Sequence, residues 1–248
     1  MIDPTLFAQP QALDRVQHRQ MRLKAGGVRY DRTAGMNSLF VTAVEFGDVC
    51  REYAIVFVEA GTGADGQREV APMAVLGLEP GENLVLGADG TWTALYTPAI
   101  LRGYPFAVVP MDAQNHAVCI DLKADALSET EGERLFDEAG EATPLLVERR
   151  QFVEEVERET QRTRLFGRRL VELGLLRSMR FDANLPDGRT LTVDGFLALD
   201  DDKLAALPDA QVIELHRNGM LALLHAHRIS LGHMRALVER RLARRRSA

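Results

Sequence analysis

Between Ser38 and Leu122 the chain repeats one pattern, a short apolar run followed by a turn. The runs are SLFVTAVEF, YAIVFVEA, MAVLGL, NLVLGADGTWTALY, YPFAVVPM and AVCIDL. Turn formers separate them in EPGEN, GADGT and MDAQNH. Only TPAILRG interrupts with helical character, one turn with Thr97 as cap and Pro98 at the first helical position. Without long helices between the strands, the βαβ alternation of a doubly wound fold is excluded. What remains is a mostly antiparallel sheet or a small barrel. Ala88-Asp89-Gly90 reads as a tight hairpin turn with Leu86 and Trp92 on its flanks.

At Thr143 the period changes from two to 3.6. Thr143 can cap a helix, Pro144 suits its first position, and Phe152, Val156, Phe166, Leu170 and Leu173 supply an apolar face as far as Gly174. The middle, EEVERETQRTR, is polar all round and is expected to be solvated, with Glu154 and Arg158 paired at i,i+4. Glu159 and Thr163 fall on seam positions and weaken a coiled-coil reading. In MRFDANLPDGRTLTVDGFLAL, Met179, Phe181, Ala183 and Leu185 alternate with polar residues. Pro186-Asp187-Gly188 then turns the chain, and Leu191 and Val193 resume the alternation, a half-buried hairpin. Helices follow over Leu204–Leu207, Pro208–Asn218 and Met220 to about Arg245. The fold class is therefore α+β. A β-rich region, 1–142, precedes a helical region with a hairpin, 143–248, as two domains or one continuous one.

The 248 residues suffice to bury a sizeable core. A formal charge of −6 gives no general attraction to nucleic acid or to an anionic membrane. Cys50 and Cys119 lie far apart without C-x-x-C or zinc spacing, so two reduced thiols are favoured over a single disulfide. The N-terminal run places Asp3 where a secretory signal needs an apolar core. No stretch approaches the roughly 18 apolar residues of a membrane span. A cytoplasmic protein with neither nucleic acid nor membrane insertion among its contacts is expected.

Five features invite a chemical reading. Gly61, Gly63 and Gly66 spell the G-x-G-x-x-G of a dinucleotide loop, but Pro72 falls where the required helix would run. A polar hairpin connection between Ile55–Glu59 and Met73–Leu78 explains them better. His225 and His227 sit two apart in a helical stretch and point in different directions, and no carboxylate pattern completes a metal site. In HAVCID, Cys119 and Asp121 share a strand face while His116 takes the other, which leaves a nucleophile without its base. The segment LSETEGERLFDEAGEATP holds Glu129, Glu131, Glu133, Asp137, Glu138 and Glu141, a solvated loop or a docking surface for a basic partner. Finally, ALYTPAILRGYPFAV gathers Tyr96, Arg102, Tyr104 and Phe106, residue types that dominate binding hot spots. Five arginines among residues 240–246 read as a helix end that complements the macrodipole, with the acidic segment as counter-charge.

The order of these segments resembles the bacterial SapC family. It is carried by YAIVFV, APMAVLGLEPGENL, YTPAILRGYPFAV, VCIDL, LSETEGERLFDEAGEATP and the C-terminal LTVDGFLALDDDKLAALPDAQVIELHRNGMLALLHAHRISL. It spans about Asn37 to about Leu237, and the glycine loop departs from the pattern as a local expansion. The resemblance implies an association with bacterial surface layers and export, and it supplies no catalytic residues to carry over. Two readings follow. One is a non-enzymatic accessory protein that binds a protein or peptide through Tyr96, Arg102, Tyr104, Phe106, Glu129, Glu131 and Glu133, with neither cofactor nor metal and with a homodimer as an option. The other is an enzyme assembled in three dimensions around Cys119, Asp121 and the acidic segment.

Overall fold

The alternating runs become short antiparallel strands in a computed structural model that describes residues 3–26, 28–63, 66–110, 116–186 and 188–247. The first half contains β1 (Pro10–Ala12), β2 (Arg22–Leu23), β3 (Ser38–Phe40), α1 (Phe46–Val49), β4 (Ile55–Thr62) and β5 (Arg68–Val75). Then come α2 (Ala99–Gly103), β6 (Phe106–Pro110), β7 (His116–Asp121), β8 (Leu127–Ser128) and β9 (Glu133–Arg134). The long α3 (Pro144–Glu172) leads into the hairpin β10 (Leu176–Asn184) and β11 (Thr190–Leu199). The chain closes with α4 (Asp201–Ala205), α5 (Asp209–Arg217), α6 (Met220–Ser230) and α7 (His233–Ser247). The strands form open sheets in the orders β1-β7-β6, β8-β2-β9 and β10-β11-β4-β5-β3, and none closes into a barrel.

Contacts divide the chain into two compact units, each built from three segments. One comprises residues 1–34, 86–93 and 99–158, and the other 35–85, 94–98 and 159–248. Neither coincides with the regions 1–142 and 143–248.

In the first unit, Phe106 and Val108 lie two apart on β6 and so face the same side, opposite Ile120 and Val118 of β7. They pack with Leu135, Phe136, Leu146 and Val153 in one apolar cluster. Thr143 marks the entrance to α3: its Oγ1 accepts the Leu146 N–H at 3.4 Å and donates to the Arg134 carbonyl at 2.7 Å. The turn after Leu86 closes through a bridge between Leu86 and Trp92, as expected, although the flanking residues add no further ladder.

In the second unit the five-stranded sheet carries the core. Ala54, Val56, Val75, Leu191 and Phe196 meet Met234 and Leu237 of α7, while Leu231, Val238 and Leu242 pack against them at helical spacing. The C-terminal half of α3 lies close against β5, since a Cβ on Gly167 would come within 2.5 Å of the Val70 carbonyl. The glycine loop is a hairpin connection: β4 and β5 pair as far as Thr62 with Arg68, where the chain resumes as strand.

Several expectations change. SLFVTAVEF is strand only over Ser38–Phe40, because Thr42 and Glu45 form a reciprocal capping box that starts a helical turn. The middle of α3 is not solvated all round: Glu157 and Thr163 are buried at 9% and 1% exposure. Thr163 is accommodated because its hydroxyl donates to Glu159 O and accepts the Ala43 N–H, each within 2.8 Å. Arg158 pairs with Glu155 at i,i+3 rather than with Glu154. The last helix breaks at Leu231-Gly232 into α6 and α7. The helix expected over Leu204–Leu207 starts earlier, at Asp201, with the Asp200 carboxylate capping the Lys203 N–H.

Candidate functional site

Asp121 ends β7 fully buried, and its carboxylate is saturated. Oδ1 accepts the Gln9 N–H at 2.8 Å and the Lys123 N–H at 3.1 Å. Oδ2 accepts the Ala8 N–H at 3.1 Å and the Tyr104 hydroxyl at 2.9 Å. Burial pushes its pKa up, but those backbone N–H groups and the Tyr104 hydroxyl outweigh burial and hold it below the usual carboxylate value. Tyr104 is the mirror image: burial, then its bond to Asp121, raises the phenol far above its ordinary value, so it stays a donor. Cys119 lies beside this hub on the same strand, and burial raises its thiol. It is a poor nucleophile there. His116, at the far end of β7, is exposed.

Two of the expected hot-spot residues are core residues. Tyr104 and Phe106 are 6% and 2% exposed. Strand alternation turns Phe106 inward, and Tyr104 packs edge-on against Phe7 at 5.3 Å while its hydroxyl serves Asp121. Neither offers a surface anchor. Arg102 is exposed on α2, with its guanidinium 5.3 Å over the Phe152 ring. Tyr96 belongs to the other unit. Its hydroxyl donates to Glu45 Oε1 at 3.0 Å, its carbonyl accepts the Tyr53 hydroxyl, and the Leu95 and Tyr96 N–H groups both donate to Glu52. This clamp leaves Leu95 96% exposed. Sequence reading missed it, although the T-x-x-E spacing of Thr42 and Glu45 was a visible sign of a buried carboxylate nearby.

The acidic segment is exposed but ordered. Ser128 Oγ accepts the Thr130 and Glu131 N–H groups, and Arg22 donates to the Gly132 carbonyl at 3.0 Å. A Cβ on Gly132 would come within 2.4 Å of the Leu23 carbonyl, so only glycine lets the segment lie this close to β2. β8 and β9 pair on either side of β2. Glu129, Glu131 and Glu133 therefore project from a framed backbone into solvent.

His227 is buried between β4 and β11. Its Nε2 accepts the Leu199 N–H at 3.1 Å, which assigns the proton to Nδ1, donated to the Ile55 carbonyl at 2.8 Å. Burial depresses its pKa to about 4. His225 is exposed, so the pair shares no site. Among the described residues no cluster of three or more His, Cys, Asp or Glu could hold a metal.

The model of the SapC family matches residues 13–237. The chain belongs to the SapC family. The match begins upstream of the resemblance read from the sequence and takes in β2, which pairs with β8 and β9. No curated protein and no solved structure matches this SapC chain. None of its described helices is long and apolar enough to cross a membrane. At its C-terminus the arginines find a counter-charge other than the acidic segment: Arg241 is buried against Glu79 and Glu82, and Arg244 donates to the Asn83 carbonyl.

Proposed function

We propose that this SapC-family protein is a non-enzymatic cytoplasmic accessory protein that binds a basic protein or peptide partner, in a setting linked to surface-layer or export processes. The observation that carries the reading is the framed acidic segment. Glu129, Glu131 and Glu133 are exposed, while Ser128, Arg22 and the β8-β2-β9 pairing fix the backbone beneath them. A backbone that is already ordered loses little further entropy when a cationic partner docks, and complementary charge speeds the encounter. Arg102 supplies a separate exposed contact in the same unit. The enzyme reading needs a carboxylate able to take a proton beside a thiolate. Asp121 already accepts from four donors, and the Cys119 thiol is raised by burial, which weigh against it.

Affinity purification from the native cell followed by mass spectrometry tests the proposal. The partner should be retained by the wild type and by Cys119→Ala, and lost on combined Glu129→Lys, Glu131→Lys and Glu133→Lys with an unchanged circular dichroism spectrum. Undiminished capture by the triple variant refutes it.

A further inference from the structure

Helix α5 buries little of itself. Leu215 is its one fully buried side chain, while Asp209, Ala210, Ile213, Glu214 and Arg217 are all exposed. At helical spacing these five share the face opposite Leu215. Ala210, Ile213, Glu214 and Arg217 line an open groove that ends at Asn218. Glu214 ties the helix to α3 through a forked pair with Arg169, at 3.1 and 2.8 Å. Asp209 and Arg217 have no ion-pair partner among the described residues, and Ile213 leaves 49% of its surface in water. A helix face with an apolar centre and opposite unpaired charges at its two ends suits a partner of the same pattern.

We propose that this face pairs with the same face of a second copy of the chain, the two α5 helices antiparallel about a two-fold axis at Ile213. The argument is charge complementarity. Asp209 and Arg217 lie four residues to either side of Ile213. A two-fold axis at Ile213 therefore sets each Asp209 against the other copy's Arg217 and stacks Ile213 on its equivalent, with the small Ala210 allowing close approach. In such an isologous contact every interaction off the axis occurs twice. A parallel arrangement would instead set like charges together. The helix is nine residues long, or about 14 Å, too short to cover the roughly 1,200 Å² of a standard interface. The dimer is accordingly weak, concentration-dependent and sensitive to salt.

Sedimentation equilibrium of the full chain at rising concentration and two salt levels tests this. The wild type should show a monomer–dimer equilibrium that weakens in high salt. Ile213→Asp, which opposes two carboxylates at the axis, should leave only monomer. Asp209→Arg alone and Arg217→Asp alone should each weaken dimerisation about tenfold, since each breaks two pairs and creates two repulsions. The double charge swap should restore it, because the exchanged charges again face each other across an antiparallel axis. Leu95→Ser, on a different exposed apolar residue, should change nothing. Circular dichroism keeps folding separate from association. A wild type that stays monomeric throughout, a dimer that survives Ile213→Asp, or a double swap that fails to rescue would each overturn the proposal.

Discussion

Among the described residues each unit has a charged or imidazole side chain with no solvent exposure at all, Asp121 in the first and His227 in the second, and the two solve the same problem with opposite chemistry. In the first, Asp121 is a charged acceptor that gathers three backbone N–H groups and one phenol. In the second, His227 is neutral and works in both directions, taking the Leu199 N–H and giving a proton to the Ile55 carbonyl. Ser230, one turn on, accepts the Ile55 N–H and donates to the His227 carbonyl. β11 and β4 register only at Leu197 and Phe57, so α6 side chains supply bonds that the ladder does not. A buried charge is tolerated when its donors are complete; a buried imidazole is tolerated when it need not be charged. The lesson is that both hubs are structural, and that they should fail under different conditions.

The largest effect should come from removing the carboxylate hub. Asp121→Ala leaves four donors without their acceptor. The Tyr104 hydroxyl is buried, while the Ala8, Gln9 and Lys123 N–H groups belong to exposed residues. At about 1–3 kcal/mol for a donor left buried, and less for one that water reaches, the loss should be about 3 kcal/mol. Urea unfolding of the variant measures it, and Asp121→Asn, which keeps one acceptor, should lose less. A near-wild-type midpoint for Asp121→Ala would break the comparison at its first term.

Acid should separate the units. The His227 pKa is depressed to about 4 in the folded chain from an ordinary 6.5, chiefly by burial, with the Ile55 bond and Asp201 opposing. The unfolded chain therefore takes up the proton first. This stability is complete above pH 6.5 and is lost as pH falls from 6.5 through 4, about 3 kcal/mol in all. Asp121 is depressed below 3.8, so its contribution survives above pH 3.8 and disappears only below it. Site-resolved hydrogen exchange between pH 7 and 4 should show the Ile55 and Leu199 region losing protection while Gln9 and Lys123 keep theirs. Simultaneous loss in both units would contradict the assignment.

A smaller effect belongs to Arg241. It is buried between Glu79 and Glu82, but Glu79 is half exposed and finds water when the cation is removed. Arg241→Leu should cost about 1 kcal/mol, because a leucine retains the packing that the arginine stem provided. Thermal melts in low and high salt check this, with the salt dependence shrinking in the variant. Smallest of all is the glycine loop. Replacing residues 63–67 with Asn-Gly joins the paired Thr62 and Arg68 by a standard hairpin turn and should shift stability by less than about 0.5 kcal/mol. A calorimetric scan that shows a larger change would give the loop a structural role it lacks in this account.

Much of the fold was legible because it rests on local periodicity. The alternation in MRFDANL and LTVDG determined the β10–β11 hairpin, and Thr143-Pro144 determined where α3 starts. Pro72 marked the run after the glycine loop as strand rather than helix, which β5 bears out. The spacing of Met234, Leu237, Val238 and Leu242 determined the inner face of α7, and these four reach the core of the second unit together with Leu231, which precedes the helix. Tertiary structure alone decided which polar side chains are buried. Tyr104 and Phe106 looked like surface anchors because residue type cannot distinguish a hot spot from a core; the pairing of β6 with β7 turned Phe106 inward, and contacts with Asp121 and Phe7 hold Tyr104. The donors to Asp121 come from residues as far as 113 positions away, and the partners of His227 from as far as 172. Periodicity is local, whereas the saturation of a buried polar group depends on which distant backbone atoms the folded chain brings to it.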